Sequence, residues 1–323
     1  MILIKPILES FRWEDMPDEE YFSEKYSDCI SNSRLSLINP DQGGSPEKYI
    51  ANEHFTSDSF LLGSAVHAEI LQPGEFNIIG GVNRPTAKLG LMADELFDCY
   101  PYMTPDDIVE ASNKINYYKD KMDEKKCQFV YDNCLSYWKC RAEQYSDVSN
   151  AMFLDDNTMN KYKACIASVQ NNAQIQALLK PEGLFEEPEI GNEVAFFIIF
   201  LATDTETGQC VELPFKAKLD NYTIVDGIVT LNDLKTTGHW ISKFSDSFEK
   251  YHYYRQMGAY GWLLKLYAER KEVNIESFNA NMLLVSTVPD YYSGVFRVKA
   301  SDIQRGFNEF KHLLKLVAKL KMQ

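Results

Sequence analysis

The sequence predicts a mixed α/β fold in which one β-sheet is flanked by helices. Three apolar, β-branched runs between residues 193 and 237 predict consecutive strands, and runs at 281–287 and 295–299 predict two more. Segments with apolar residues at helical spacing precede and follow these strands. With 323 residues, 45% of them hydrophobic, the chain can bury a large core, and we expect a single domain over residues 1–323.

Caps, prolines and apolar spacing mark the elements before the strands. Residues 1–30 are acidic and aromatic, and we interpret them as an irregular N-terminal arm. A short helix is expected after Ser31 or Ser33, and residues 59–71 carry an apolar stripe at four-residue spacing. The segment 92–180 is helical in pattern throughout, so we interpret it as a helical insertion within the domain.

Residues 210–237 predict a β-hairpin that holds a charged cluster. Two strands flank the turn signal Asp226-Gly227; the first carries Asp220, and the second carries Asp233 and Lys235. Side chains alternate along a strand, so residues 233 and 235 point to one face, and the hairpin can bring residue 220 beside them. Two carboxylates and one ammonium suit a divalent metal and a phosphate held together, although charges on a solvent-facing strand give the same pattern.

Helices on either side of the hairpin carry further polar candidates. His67 lies in the 59–71 segment one turn after a glycine, and a lone histidine there is more often a core or surface residue. A long helix expected from about Ser247 to Ala268 carries His252, Gln256 and Tyr260 at four-residue spacing, which puts them on one face. Taken singly, each of these is typical of packing or capping.

Charge and cysteine usage limit the function classes. A net charge of −14 argues against a nucleic-acid-coating surface, but it leaves room for a local positive groove. The seven cysteines lack paired spacing, so neither a disulfide framework nor a zinc site is expected. An early Pro6 and nearby charges argue against a signal peptide, and no apolar run approaches a membrane span. We therefore expect a cytoplasmic protein with no membrane partner.

Taken in chain order, the candidate residues resemble the successive motifs of the PD-(D/E)XK nuclease superfamily, in its RecB-like branch. They are His67, Asp220, Asp233, Lys235, Gln256 and Tyr260. The similarity is greatest to the RecE-like exodeoxyribonuclease VIII family and related phage exonucleases, and it covers residues 31–80 and 185–270. One departure is Lys218-Leu219, where relatives often carry Arg-Pro before the first metal aspartate. A subgroup of the superfamily holds an iron–sulfur cluster with three late cysteines; here no cysteine follows Cys210, so no such cluster is expected.

The resemblance implies a restriction-endonuclease-like mixed sheet and Mg²⁺- or Mn²⁺-dependent hydrolysis of DNA. Asp220 and Asp233 would be metal ligands, supported by the Leu234 carbonyl and by His67. Lys235 would lie beside the attacking water or the scissile phosphate. Glu193 would orient a water or a second metal. The residues that would position the DNA strand are Gln256, Tyr260, Thr236 and Thr237.

The function implied by the resemblance is a metal-dependent exonuclease acting on linear double-stranded DNA in phage-type recombination or DNA processing. The resemblance further implies a location in the cytoplasm of a bacterial host cell, a homo-oligomeric ring around DNA and a single-strand annealing protein as a partner. Two alternatives stay open from the residues. One is a catalytically silent DNA-binding or assembly protein on the same fold, and the other is a PD-(D/E)XK endonuclease.

Overall fold

The computed structural model of the protein describes residues 1–52, 58–118, 122–183, 185 and 187–323. The strands are β1 (Ile2–Asp15), β2 (Asn77–Ile79), β3 (Ala151–Phe153), β4 (Glu189–Asp204), β5 (Cys210–Val225), β6 (Ile228–Thr237), β7 (Ser277–Ser286) and β8 (Ser293–Arg297). The helices are α1 (Asp18–Tyr21), α2 (Asn32–Ser36), α3 (Pro46–Ala51), α4 (Asp58–Leu71), α5 (Ala87–Glu95), α6 (Pro105–Lys114), α7 (Glu124–Tyr145), α8 (Asp156–Gln170), α9 (Ala173–Leu179), α10 (Phe244–Lys250), α11 (Tyr253–Arg270) and α12 (Ala300–Lys321). None of the helices in these ranges is both long and apolar enough to cross a membrane.

The chain separates into two compact units. The first unit contains the described residues up to 52 together with 168–323, and the second contains those from 58 to 167. The expected insertion at 92–180 falls mostly in the second unit, which begins earlier and includes α4 and the parallel pair β2–β3. A core centred on Trp138 and Val130 stabilises this unit. Residues 119–121 of the expected insertion lie outside the described residues.

The first unit is built on a six-stranded mixed sheet in the order β1-β4-β5-β6-β7-β8. Neighbouring strands are antiparallel except β6 and β7, which are parallel. Alternate residues of β4 point to opposite faces: Phe196 and Ile198 join the core with α11 and α12, whereas Ala195 and Phe197 pack with Tyr21 of α1. The predicted mixed α/β fold, a sheet flanked by helices, is confirmed.

The interpretation of residues 1–30 as an irregular arm is wrong for residues 2–15, which form β1. This strand pairs antiparallel with β4 along one edge of the sheet, and the register shifts between Ile7 and Arg12. Pro6 cannot donate to a β-ladder, so a strand that contains it is found at a sheet edge. The proline and the register shift together hide the alternating pattern in the sequence.

The long helix expected at 247–268 is divided in two. Helix α10 ends at Lys250, α11 begins at Tyr253, and His252 between them has a left-handed φ of 54°. The His252 side chain turns to Glu309 of α12, with Nδ1 2.7 Å from Oε1. His252 therefore leaves the shared face predicted for it, whereas Gln256 and Tyr260 remain one turn apart on α11.

Two features fix α11 against its neighbours. At Gly306 of α12, an added Cβ would lie 1.7 Å from the backbone oxygen of Tyr254, so the two helices cross at backbone contact. The buried Arg255 guanidinium donates to Ser36 Oγ at 2.6 Å, to Gln42 Oε1 at 2.8 Å and to Glu309 Oε1 at 3.1 Å. These contacts hold the helix that carries the candidate polar side chains.

Candidate active site

Two predicted aspartates lie where β5 and β6 separate. The turn between these strands has left-handed φ values at Asp226 and Gly227, as a tight hairpin requires. The β5–β6 pairing runs from that turn to the pair Asn221↔Asn232 and ends there. Asp220 and Asp233 are the next residues of the two strands on the side away from the turn. Beyond this point the backbone N–H of Leu234 donates to Asp220 Oδ2 at 2.8 Å. The Asp220 carboxylate therefore accepts the hydrogen bond that a backbone carbonyl of a paired strand would otherwise accept.

Glu193 lies beside Asp220 on the neighbouring strand. The flanking pairs Asn192↔Asn221 and Val194↔Leu219 put residue 193 opposite residue 220. A carboxylate oxygen of Glu193 lies within 4.8 Å of one of Asp220. Glu193 has a φ of 50°, a conformation that costs a residue other than glycine about 1–3 kcal/mol and that recurs at functional sites. Glu193 therefore adds a third carboxylate beside Asp220, and its backbone has a conformation that recurs at functional sites.

Lys235 lies between the two aspartates. Its Nζ is 2.7 Å from Asp233 Oδ2 and 4.0 Å from Asp220 Oδ2. Burial lowers the pKa of Lys235, but the charges of Asp233 and Asp220 more than offset this effect, and the net pKa is raised above its ordinary value. The side chain is therefore an ammonium at neutral pH, suited to stabilising negative charge.

Helix α11 contributes Gln256 and Tyr260 to the same cluster. The Gln256 amide donates from Nε2 to Asp233 Oδ1 at 2.6 Å, and both side chains are buried. Burial, together with the negative charges of Asp233, Asp220 and Glu193 among its neighbours, raises the pKa of Tyr260 well above its usual value. The Tyr260 phenol therefore stays protonated and can donate a hydrogen bond.

The other predicted site residues have different surroundings. Thr237 Oγ1 accepts the backbone N–H of His239 at 3.3 Å, so this hydroxyl caps the turn after β6. Thr236 precedes it and is half-buried. His67 lies half-buried on α4 in the second unit, and its place at a metal stays a prediction.

Lys218, noted in the sequence only as a departure from the family pattern, supplies a second cation. Its Nζ lies 3.9 Å from Glu193 Oε2 and 2.5 Å from Asp18 Oδ1, and its side chain is buried. It therefore provides positive charge next to the third carboxylate. The signal for it is its position two residues before Asp220 on the same strand.

A row of four asparagines, missed by the sequence reasoning, runs across four strands next to the carboxylates. Asn221, Asn232 and Asn281 are buried and Asn192 is exposed. Asn221 donates to Asn192 at 2.8 Å, Asn232 donates to Asn221 at 2.7 Å, and Asn281 donates to Asn232 at 3.0 Å. Asn232 also donates to the Leu178 carbonyl at 3.1 Å. The signal was present in the chain, because an asparagine adjoins each of the three acidic residues. This asparagine row fixes the register of β4 to β7 at the site.

Comparisons with known proteins give distant structural similarities. No protein-family model matches the sequence, and no curated protein matches it. The chain is similar to a crystal structure from Eubacterium rectale called a candidate exonuclease, with 12% identity, a TM-score of 0.47, and coverage of 95% of this chain and 87% of that chain. A Vibrio cholerae protein matches with 13% identity, a TM-score of 0.18, and coverage of 83% of this chain and 58% of that chain. At these scores, a functional argument rests on the site itself.

Proposed function

We propose that the protein is a metal-dependent deoxyribonuclease that degrades linear double-stranded DNA as an exonuclease. The observation that carries the proposal is the convergence of Glu193, Asp220, Asp233 and Lys235 at the point where β5 and β6 part. A binding module has no need for two aspartates around one buried ammonium with a third carboxylate, Glu193, beside Asp220, because unbalanced buried charge is costly. The motif order in the sequence supports the same chemistry.

The donor atoms fit a hard divalent cation. Asp220, Asp233 and Glu193 offer carboxylate oxygens, the ligands that Mg²⁺ and Mn²⁺ prefer. These three residues would hold the ion, and the sequence motif adds His67 and the Leu234 carbonyl as proposed ligands. A bound divalent cation supplies Lewis-acid stabilisation of the negative charge that develops on the phosphate. The expected absence of an iron–sulfur cluster stays a prediction.

The neighbouring side chains would stabilise charge and position the DNA. The Lys235 ammonium would stabilise the charge of the phosphate and of the attacking oxygen as the bond forms. Gln256 would hold the Asp233 carboxylate in place through its 2.6 Å hydrogen bond. Tyr260, protonated at neutral pH, would donate a hydrogen bond to the DNA strand. Lys218 would balance the charge of Glu193 in place of the arginine common in relatives.

A cleavage assay separates this function from its alternatives. Linear and covalently closed circular duplexes are incubated with the protein in Mg²⁺ and, separately, in EDTA. Loss of linear DNA only, in Mg²⁺ only, supports the exonuclease. Nicked circles would instead indicate an endonuclease, and intact DNA of both kinds would indicate a silent binding or assembly protein.

Matched variants test the residue assignment. Asp233→Ala and Lys235→Ala should abolish cleavage, whereas Glu143→Ala and Lys319→Ala, at exposed helix positions, should leave it unchanged. Circular dichroism checks that each variant is folded. Calorimetric titration with Mn²⁺ gives a readout independent of cleavage, and Asp220→Asn should weaken Mn²⁺ binding by at least about tenfold. Full cleavage by folded Lys235→Ala would refute the assignment.

The proposed biological setting goes further than the catalytic chemistry. A ring that encloses DNA would reconcile a net charge of −14 with DNA binding, because only its inner channel need be positive. Light scattering of the purified protein tests for the ring. Co-purification with a single-strand annealing protein tests the proposed role in phage-type recombination.

A further inference from the structure

A short row of rings and ammonium groups, here called the tyrosine strip, leads from the candidate site to the protein surface. Lys235 Nζ lies 5.9 Å from the ring centre of Tyr253. That ring lies 5.7 Å from the ring of Tyr251, at an angle of 44°. Lys250 Nζ lies 5.2 Å from the ring centre of Tyr251. The tyrosine strip therefore runs from ammonium to ring, to ring, to ammonium.

The inner end of the tyrosine strip is supported and its outer end is open. The half-buried ring of Tyr253 stacks on Phe244, with centroids 5.8 Å apart and planes at 9°. Tyr251 is 49% exposed, and Lys250 is exposed. A single exposed aromatic residue is ordinary on a protein surface. Tyr251 differs because its ring contacts a second ring that itself contacts the candidate catalytic lysine.

The Lys250 ammonium at the outer end of the tyrosine strip suits an anionic ligand. The chain as a whole is acidic, so nucleic acid needs a local cationic surface. Glu249, next to the strip, is paired with Arg305 through hydrogen bonds of 2.9 and 2.7 Å. This pairing leaves the adjacent Lys250 ammonium available to meet a phosphate.

We propose that the tyrosine strip binds the single-stranded end of a nucleic-acid substrate. Bases stack on Tyr251 and Tyr253, and phosphates lie near Lys250 and Lys235. Two adjacent rings flanked by cationic groups offer stacking surfaces for bases and positive charge for phosphates, and such stacking tolerates any base sequence. The inference rests on the proposed nuclease function, because the strip delivers the strand to the same carboxylates.

Binding and cleavage are measured separately so that the two proposals can fail independently. Fluorescence anisotropy in EDTA, at fixed low salt, gives the Kd of a labelled 12-nucleotide single strand and of a blunt duplex of equal length. Tyr251→Ala should raise the single-strand Kd by about 5- to 100-fold. Tyr251→Phe keeps the ring and should stay within about twofold. Lys250→Ala should raise the same Kd and, in a separate series of salt concentrations, reduce its salt dependence, whereas Lys319→Ala should do neither.

The outcomes are distinct. Equal single-strand Kd values for wild type and folded Tyr251→Ala would overturn the tyrosine strip, even if Mg²⁺-dependent cleavage is intact. Equal losses for single strand and blunt duplex would also overturn it, because stacking requires unpaired bases. Selective loss of single-strand binding supports the strip. If wild type then cleaves no DNA in Mg²⁺, the nuclease proposal fails while the binding surface stands.

Discussion

Gln256 joins helix α11 to the Asp233 carboxylate, and its removal measures how strongly that contact holds the site. The bond is 2.6 Å long, and both side chains are buried. A hydrogen bond to a charged group contributes about 1.5–3 kcal/mol. Gln256→Leu removes the donor at similar volume, and the added apolar burial offsets part of the loss. We expect the free energy of unfolding to fall by about 1–3 kcal/mol.

A double-mutant cycle with Asp233→Ala assigns that loss to this one contact. In the Asp233→Ala background the carboxylate is absent, so Gln256→Leu should cost at least about 1 kcal/mol less than in the wild type. Urea unfolding is followed by circular dichroism and by tryptophan fluorescence, in EDTA, because a bound metal would add its own stabilisation. An equal cost of Gln256→Leu in both backgrounds would refute the reasoning.

Three further substitutions, two of them with a matched control variant, test the packing around the site by the same unfolding measurement. Gly306→Ala should lower the free energy of unfolding by about 3 kcal/mol or more, because the added Cβ meets backbone that must shift. In the control Gly294→Ala, the added Cβ meets no atom nearer than 3.7 Å, and the cost should be less than about 1 kcal/mol. Arg255→Met should cost about 3–5 kcal/mol because buried partners lose their donor, whereas Arg305→Met, at a 44% exposed side chain, should cost less than about 1 kcal/mol. Asn232→Ala breaks two bonds of the asparagine row and the bond to the Leu178 carbonyl. It should cost at least about 2 kcal/mol and weaken Mn²⁺ binding in a parallel titration.

The sequence predicted those features whose signals are local. The Asp226-Gly227 turn fixed the hairpin, and the alternation of side chains correctly put Asp233 and Lys235 on one face, where their side chains meet. Four-residue spacing likewise put Gln256 and Tyr260 on one face of α11. In each case the geometry depends on dihedral angles a few residues apart, which residue types largely determine.

Features that depend on cross-strand register or on tertiary contacts escaped the prediction. The distance from Glu193 to Asp220 depends on the β4–β5 register, which no single strand reveals. The break at His252 depends on a partner, Glu309, that lies 57 residues later in the chain. The asparagine row had a sequence signal, an asparagine beside each acid, but its meaning needed the strand order. The predicted roles of His67, Thr236 and Thr237 stay predictions.

The parting of β5 and β6 creates a sheet edge inside the sheet. An open edge is a template for an added strand, and proteins block such edges to avoid unwanted pairing. Here Asp220 occupies the Leu234 N–H on the open side of β6, while β7 pairs along the other side. A charged side chain thus accepts a backbone N–H at a buried fork between two strands. The residue proposed to bind metal therefore also has a structural role, so replacing it by alanine would remove this acceptor as well as a proposed ligand.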